Sequence, residues 1–189
     1  MELIDLLSDE RVLYYGFEGH IKPELSRLKH EFLKVIHQVN PNVVQLGRHT
    51  SGIICSFETD AIELTFDVSL MRPSVMRHMT MLAESGFDLY LGFGKHQQFY
   101  QSFGPETGKS DYQHTVSFNE RKLRHIILYF PLYNGINRFM VQIQDAFFGS
   151  KPLALQKKNS HLWHFYHTRS LCIQTWVIAF VLVVQSSQR

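Results

Sequence analysis

The sequence predicts an all-β protein, a jelly-roll-like antiparallel β-sandwich with one short helix near the N-terminus. Between residues 43 and 144, apolar residues alternate with polar ones in several short runs, which is typical of strands that bury one face. Turn-forming residues separate these runs at intervals of roughly ten residues. Helical spacing is rare in this part of the chain, which favours a sandwich or jelly roll over a mixed fold.

The single helix is predicted in the segment ELSRLKHEFLKVIHQV, which ends just before Asn40-Pro41. Its apolar residues recur at helical spacing, and Pro41 predicts the end of the helix because proline cannot continue a helix. The residues of this apolar stripe are Leu25, Leu28, Phe32 and either Val35 or Ile36.

Three strands are predicted from runs in which every second residue is apolar. In GFDLYLGFG, the residues Asp88 and Tyr90 fall on the face opposite the apolar one. Cys55 is interpreted as a core residue because it belongs to the apolar face of its run. The inward-facing residues of the three runs are Ile53, Cys55 and Phe57; Ile62, Leu64, Phe66 and Val68; and Phe87, Leu89, Leu91 and Phe93.

The run HIILYFPLYNGINRFMVQIQ predicts a β-hairpin that turns at Asn134-Gly135, a pair that tolerates the positive φ angles of a type I′ turn. Its first strand carries Ile126, Leu128 and Phe130 on one face and further apolar residues on the other, which predicts a central strand. Pro131 is expected at the end of that strand or at a bulge, because it donates no ladder hydrogen bond. Two further short strands are predicted at 98–103 and 112–118.

Composition excludes several classes of protein. The 189 residues, 44% hydrophobic and 19% charged, suit one globular domain. A net charge of +2 argues against binding to nucleic acid or an anionic membrane. The N-terminus has acidic residues where a secretion signal needs basic ones, and WVIAFVLVV is too short to span a bilayer. Cys55 and Cys172 show no zinc or disulfide spacing, so we expect a reduced, cytoplasmic protein without cofactor or metal.

Catalytic sequence motifs such as GxSxG, the P-loop, HExxH and CxxC do not occur in the sequence. The Met-rich segment MRPSVMRHMTM, with Arg72, Arg77 and His78, predicts either a loop that packs on the sandwich edge or a binding loop. Asp88 and Tyr90 are open to two interpretations as well: a buried hydrogen-bonded pair that fixes the sheet, or a carboxylate and a phenol that bind a sugar hydroxyl.

Three segments, in order, resemble the GxDLY domain, which precedes the catalytic domain of certain bacterial SGNH-hydrolase-type esterases. They are LGRHTSGIICSFETD, MRHM followed by SGFDLY, and FPLYNGI, and they cover roughly residues 40–145. The resemblance implies a jelly-roll-like sandwich packed onto an esterase domain whose serine lies in the next domain. It predicts a lead-in over residues 1–40, the GxDLY-like domain over 41–150 and an aberrant tail over 151–189. The family-motif residues are Arg48, His49, His78, Gly86, Asp88, Tyr90, Asn134 and Gly135.

The tail contains HLWHFYHTRSLCIQTW, whose three histidines, His161, His164 and His167, are spaced like ligands on one side of a helix. No carboxylate lies near them to orient a ligand, so we expect no metal site. Read one base later, the codons that can encode this stretch admit GTSITQGACASRPG, which resembles the serine block of the esterase family. Both end glycines are forced, by Trp163 and Trp176. Codons for residues 156–158 can form a run of adenines, so the hypothesis is a frameshift there.

The function predicted from the sequence is a non-catalytic accessory domain of an SGNH-type esterase, truncated before the catalytic domain, which would be its partner. One alternative is a carbohydrate-binding module that presents Tyr90, Tyr100 and Tyr129 on one sheet face. The other is a purely structural domain that braces the esterase domain.

Overall fold

The computed structural model describes residues 1–16, 19, 21 and 25–151. Within them the chain forms ten strands and three helices. In chain order these are β1 (Glu2–Asp5), β2 (Leu13–Tyr15), α1 (His30–Val39), α2 (Pro41–Gly47), β3 (Ile54–Thr59), β4 (Glu63–Leu70), α3 (Met81–Ser85), β5 (Phe87–Leu91), β6 (Gln98–Phe103), β7 (Asp111–Ser117), β8 (Arg124–Tyr129), β9 (Ile136–Ile143) and β10 (Phe148–Gly149).

The strands form two antiparallel sheets, as the sequence predicts. The four-stranded sheet has the order β1-β9-β4-β7. The six-stranded sheet has the order β10-β3-β8-β5-β6, and β2 pairs with the same strand β3. The first fifteen residues, which the sequence assigns to a lead-in, therefore add a strand to each sheet.

The core between the sheets is built around phenylalanine rings. Phe87 lies at the centre, with ring centroids 5.3 Å from Phe103 and 4.8 Å from Phe139. Phe66 stacks on the same two rings at 5.1 and 5.8 Å. Each fully buried phenylalanine contributes about 2–3 kcal/mol of transfer free energy, so this cluster holds the two sheets together.

Alternation predicted the inward-facing side chains of β3, β4 and β5 correctly. Phe57, Leu64, Phe66 and Leu89 are fully buried. Two predicted inward residues are exceptions. Ile62 is 51% exposed, because β4 begins one residue later, and Phe93, which lies beyond the end of β5, packs in a cluster outside the main core. Cys55 is also fully buried, as predicted, and burial raises the pKa of its thiol well above the usual range.

Strand β8 is central, as predicted, and lies between β3 and β5. Pro131 follows the end of this strand, also as predicted. The hairpin prediction is wrong. β8 belongs to the six-stranded sheet and β9 to the four-stranded sheet, and neither Asn134 nor Gly135 has a positive φ. Residues 130–135 instead cross from one sheet to the other, because both strands turn an apolar face toward the same core.

The N-terminal helical region also differs from the prediction. Two helices occur where one was expected, and Pro41 opens α2 while the side chain of Asn40 accepts a hydrogen bond from the Asn42 amide at 3.0 Å. The predicted apolar stripe is confirmed only in part. Leu25, Leu28 and Ile36 are buried, as predicted, with Ile36 the correct alternative to Val35, which is 43% exposed. Phe32 is wrong, since it is 47% exposed and Leu33 is buried in its place, because the helix begins only at His30.

The predictions about His161, His164, His167, Cys172 and the apolar end of the tail fall outside the described residues. Within the part that is described, no helix is long and apolar enough to cross a membrane. That part also holds no cluster of three or more metal-ligating side chains.

Candidate functional site

Five of the eight family-motif residues meet at one end of the sandwich, around the buried side chain of Asn134. They are Arg48, His49, Gly86, Asn134 and Gly135. Its Nδ2 donates to the backbone oxygen of Arg72 and to Oγ of Ser85, both at 2.9 Å. Its Oδ1 accepts from the Gly135 amide at 2.9 Å. The hydroxyl of Thr50 donates to the Asn134 carbonyl at 3.1 Å. The asparagine therefore ties together the starts of β3 and β9, the loop after β4 and the end of α3.

A second buried polar group, Glu84, lies beside Asn134. Its carboxylate accepts hydrogen bonds from the Arg72 guanidinium at 2.7 Å, the Ser74 hydroxyl at 2.8 Å and the Met76 amide at 2.9 Å. Arg72 also donates to the Tyr133 carbonyl at 2.8 Å. Burial alone would raise the pKa of Glu84, but these three donors outweigh it and the net shift is downward. The glutamate stays ionised and fastens the Met-rich loop to α3.

His49 is nearly buried at the same end, with 8% of its surface exposed. Burial, followed by the positive charges of Arg27 and Arg72, lowers the pKa of His49 to about 4. The imidazole is therefore neutral at neutral pH, and it serves as a packing group rather than as a charge.

Two motif glycines are required by close packing. A Cβ at Gly86 would lie 2.5 Å from the backbone oxygen of Leu82, and one at Gly135 would lie 2.9 Å from the backbone oxygen of Arg48. Both distances are shorter than contacts that a real Cβ makes. Gly86 and Gly135 are thus required because neighbouring backbone leaves no room for a Cβ. Turn geometry is not the reason for Gly135.

The motif residues Asp88 and Tyr90 lie elsewhere, on the outer face of the six-stranded sheet. Oδ1 of Asp88 accepts a hydrogen bond from the Ser102 hydroxyl at 2.5 Å, across the β5–β6 pair. Tyr90 makes edge contacts with Phe99 and Tyr129 at centroid distances of 5.6 and 5.1 Å. Asp88 therefore forms a hydrogen bond to a neighbouring strand, and Tyr90 packs its ring on neighbouring strands.

A cavity of about 80 Å³ separates the two groups of motif residues. Gly86, Asp88, Leu82 and Tyr129 are among its lining residues. The cavity is large enough for a few water molecules or for the tip of one side chain, which is much smaller than an ordinary ligand pocket.

The three tyrosines predicted to form a sugar platform do not share one face. Tyr90 and Tyr129 are in contact. Tyr100 is directed toward the other sheet, where its hydroxyl donates to the Ser117 carbonyl at 2.8 Å and its ring packs on Phe118 at 5.3 Å.

His78 and Arg77, in the Met-rich loop, are exposed. The sequence did not single out Thr50, Ser85 or Glu84 for the network at the end of the sandwich. Thr50 stands inside the RHTSG block and could have been found there. The glutamate gives no signal, because a charged residue in a short helix usually faces solvent.

The geometry is that of a structural network. None of the hydrogen bonds among the described residues joins a serine hydroxyl to a histidine ring, the pair that activates a serine nucleophile. Asn134 and Glu84 each have their hydrogen-bonding capacity filled by neighbouring loops. These polar groups therefore hold backbone in place.

Comparison with known proteins agrees with this architecture. The chain matches the GxDLY family, described as the N-terminus of Esterase_SGNH_hydro-type, over residues 8–147. A search of curated proteins found no match.

Two solved structures share the fold. One, from Bacteroides ovatus ATCC 8483, is described as a GDSL-like lipase; it superposes with a TM-score of 0.66 at 19% identity and covers 82% of this chain and 44% of that chain. The other is the salicylyl-acyltransferase SsfX3 from a tetracycline biosynthetic pathway, with a TM-score of 0.61 at 12% identity, covering 81% of this chain and 42% of that chain. The chain thus corresponds to less than half the length of either protein.

The family match extends over more than half of the chain and includes both the buried network and the GFDLY strand. This chain therefore belongs to the GxDLY family, the N-terminal domain of SGNH-hydrolase-type esterases.

Proposed function

We propose that this chain is a non-catalytic accessory domain of an SGNH-type esterase. The observation that carries the proposal is the use of the buried polar groups: the motif residue Asn134 and its neighbours Glu84 and Thr50 are all engaged in hydrogen bonds inside the domain. Residues kept for catalysis would instead face a cavity that admits substrate. The domain's contribution is to present a rigid surface to the catalytic domain.

In this proposal the serine nucleophile, the histidine base and the oxyanion donors all come from the catalytic domain. The accessory domain supplies none of them. Its rigid end and its filled core give the neighbouring domain a fixed support, which corresponds to the bracing role.

We further propose that the coding sequence is frameshifted within codons 156–158, so that the catalytic domain is encoded but not translated. The support is at the level of codons. Trp163 and Trp176 each force a glycine in the frame one base later, and the codons between them admit the complete GTSITQGACASRPG block.

The decisive experiment is to sequence the gene through codons 150–180 and beyond the stop codon, and then to delete one adenine in the run. We expect the repaired frame to continue through the serine block, and we expect the protein made from it to hydrolyse p-nitrophenyl acetate. The chain as it stands should hydrolyse this ester no faster than buffer.

The matched control is the repaired protein with the serine of the recovered GTSIT block changed to alanine, which should return to background. Turnover by the unrepaired chain would show that the accessory domain is itself catalytic. A gene whose codons do not spell the serine block would refute the frameshift.

A further inference from the structure

The outer faces of the two sheets have opposite character. The four-stranded sheet exposes polar side chains, including the Arg138–Asp67 ion pair at 2.7 Å and the Thr65–Thr115 hydrogen bond at 3.0 Å. This composition is typical of a sheet face in contact with water.

The six-stranded sheet has an apolar outer face. A cluster separate from the main core covers it, and we call this cluster the aromatic face. Its residues are Tyr15, Ile54, Tyr90, Phe93, Ile127 and Tyr129. Phe99, which contacts Tyr90, is 58% exposed at its edge. An apolar surface of this kind on one face only is the usual mark of an interface.

Two polar residues buried within this face, Ser56 on β3 and His125 on β8, lack hydrogen-bond partners in the described part of the chain. The atoms concerned are Oγ of Ser56 and both ring nitrogens of His125. His125 is 7% exposed, and its Nδ1 lies 3.6 Å from the Glu58 carboxylate, which is too far for a hydrogen bond. Buried polar atoms are nearly always satisfied, so a group from outside the sandwich is needed here.

The path of the chain leads onto the same face. β10 pairs with the end of β3 at Glu58 and Thr59. Two residues later, Nζ of Lys151 lies 5.2 Å from the centre of the Phe93 ring. That ring in turn contacts His125 edge-on at 5.3 Å. At Lys151, after β10, the chain therefore lies beside the aromatic face and not beside the polar one.

We infer that the aromatic face is the docking surface for the SGNH hydrolase domain, the polypeptide that follows Lys151 once the frame is repaired. This inference rests on the proposed function. Both solved structures with this fold have more than half of their length outside the shared part, so a domain of adequate size is available to cover the face. In the docked state a polar group of the hydrolase domain hydrogen-bonds to the ring of His125.

The test compares the chain as it stands with the frame-repaired protein, each carrying one introduced cysteine. Tyr90→Cys probes the aromatic face. Met140→Cys is the matched control, because Met140 is a half-buried outward residue on the central strand β9 of the polar face. The measured quantity is the rate at which the introduced cysteine alone is alkylated by a maleimide. It is followed by peptide mass spectrometry, so that Cys55, Cys172 and the cysteine of the recovered serine block are counted separately.

We expect Tyr90→Cys to react at least tenfold more slowly in the repaired protein than in the unrepaired chain, and Met140→Cys to react equally in both. A second readout is the nuclear magnetic resonance titration of His125, whose pKa should shift between the two proteins.

Equal labelling of Tyr90→Cys in the two proteins, with an active hydrolase domain present, would overturn the docking surface and leave the proposed function standing. Protection of Met140→Cys instead would place the domain on the polar face. A gene with no hydrolase frame would remove the occupant and overturn both proposals. If the unrepaired chain bound xylohexaose and Tyr129→Ala abolished that binding, the face would be a glycan site and the inference would fail.

Discussion

Replacing Glu84 by glutamine should destabilise the domain strongly, although the two side chains have nearly the same shape. The carboxylate accepts three hydrogen bonds, from Arg72, Ser74 and Met76, and its side chain is only 1% exposed. An amide can accept at one end only, so either the guanidinium or the Ser74–Met76 pair then faces an N–H donor.

The magnitude follows from these contacts. A hydrogen bond to a charged group contributes about 1.5–3 kcal/mol, and breaking a buried ion pair costs about 3–5 kcal/mol. The Arg72 side chain is 30% exposed, so water can recover part of its loss. We therefore expect Glu84→Gln to lower the free energy of unfolding by about 3 kcal/mol, which is a shift of about 1.5 M in the urea midpoint.

The assay is urea unfolding followed by far-ultraviolet circular dichroism. Tryptophan fluorescence is unsuitable because both tryptophans, Trp163 and Trp176, lie beyond the sandwich strands. Glu63→Gln is the matched control, since Glu63 is exposed on β4 and should cost less than about 0.5 kcal/mol. If the two variants unfold at the same urea concentration, the Glu84 carboxylate does not hold the Met-rich loop and the argument for the network is wrong.

Three more predictions concern the same end of the domain. Asn134→Ala should lower the free energy of unfolding by about 2–4 kcal/mol, because it strands buried donors and acceptors, while Asn137→Ala, on the exposed start of β9, should cost under about 1 kcal/mol by the same urea assay. Gly86→Ala should cost about 1–3 kcal/mol because its Cβ would press on the Leu82 carbonyl; an unchanged melting temperature would show that the backbone relaxes freely there. The pKa of His49 is about 4 in the folded state, below the usual value of about 6.5 in the unfolded state, so the unfolded state binds its proton first and stability should fall as the pH drops from about 6.5 to about 4. His49→Gln should flatten that part of the urea-midpoint profile against pH, and an unaltered slope would exclude His49 as the group responsible.

The sequence predicted well what depends on local alternation. Whether Phe57, Phe66 or Leu89 faces inward is decided by the period of the strand, and all three are buried. The GFDLY strand was found for the same reason.

It predicted poorly what depends on distant packing. Asn134-Gly135 has the composition of a hairpin turn, but the two flanking strands, β8 and β9, belong to different sheets. The buried position of Glu84 was equally inaccessible, because it follows from three donors on a loop that begins twelve residues earlier in the chain. Phe32 was assigned to the wrong face because the predicted apolar stripe starts at Leu25, whereas the helix begins at His30.

The pairing of β1 with β9 has a consequence for how the domain is made. The first strand of the chain finds its partner only after Ile143 has been synthesised, so the four-stranded sheet cannot be completed until nearly the whole domain exists. Long-range pairing of this kind slows folding. Every strand in the described part of the chain nevertheless lies upstream of codons 156–158. An error of reading frame at those codons would leave each ladder of the sandwich intact. A cell would then produce a folded domain whose apolar outer sheet lacks the hydrolase domain that we propose covers it.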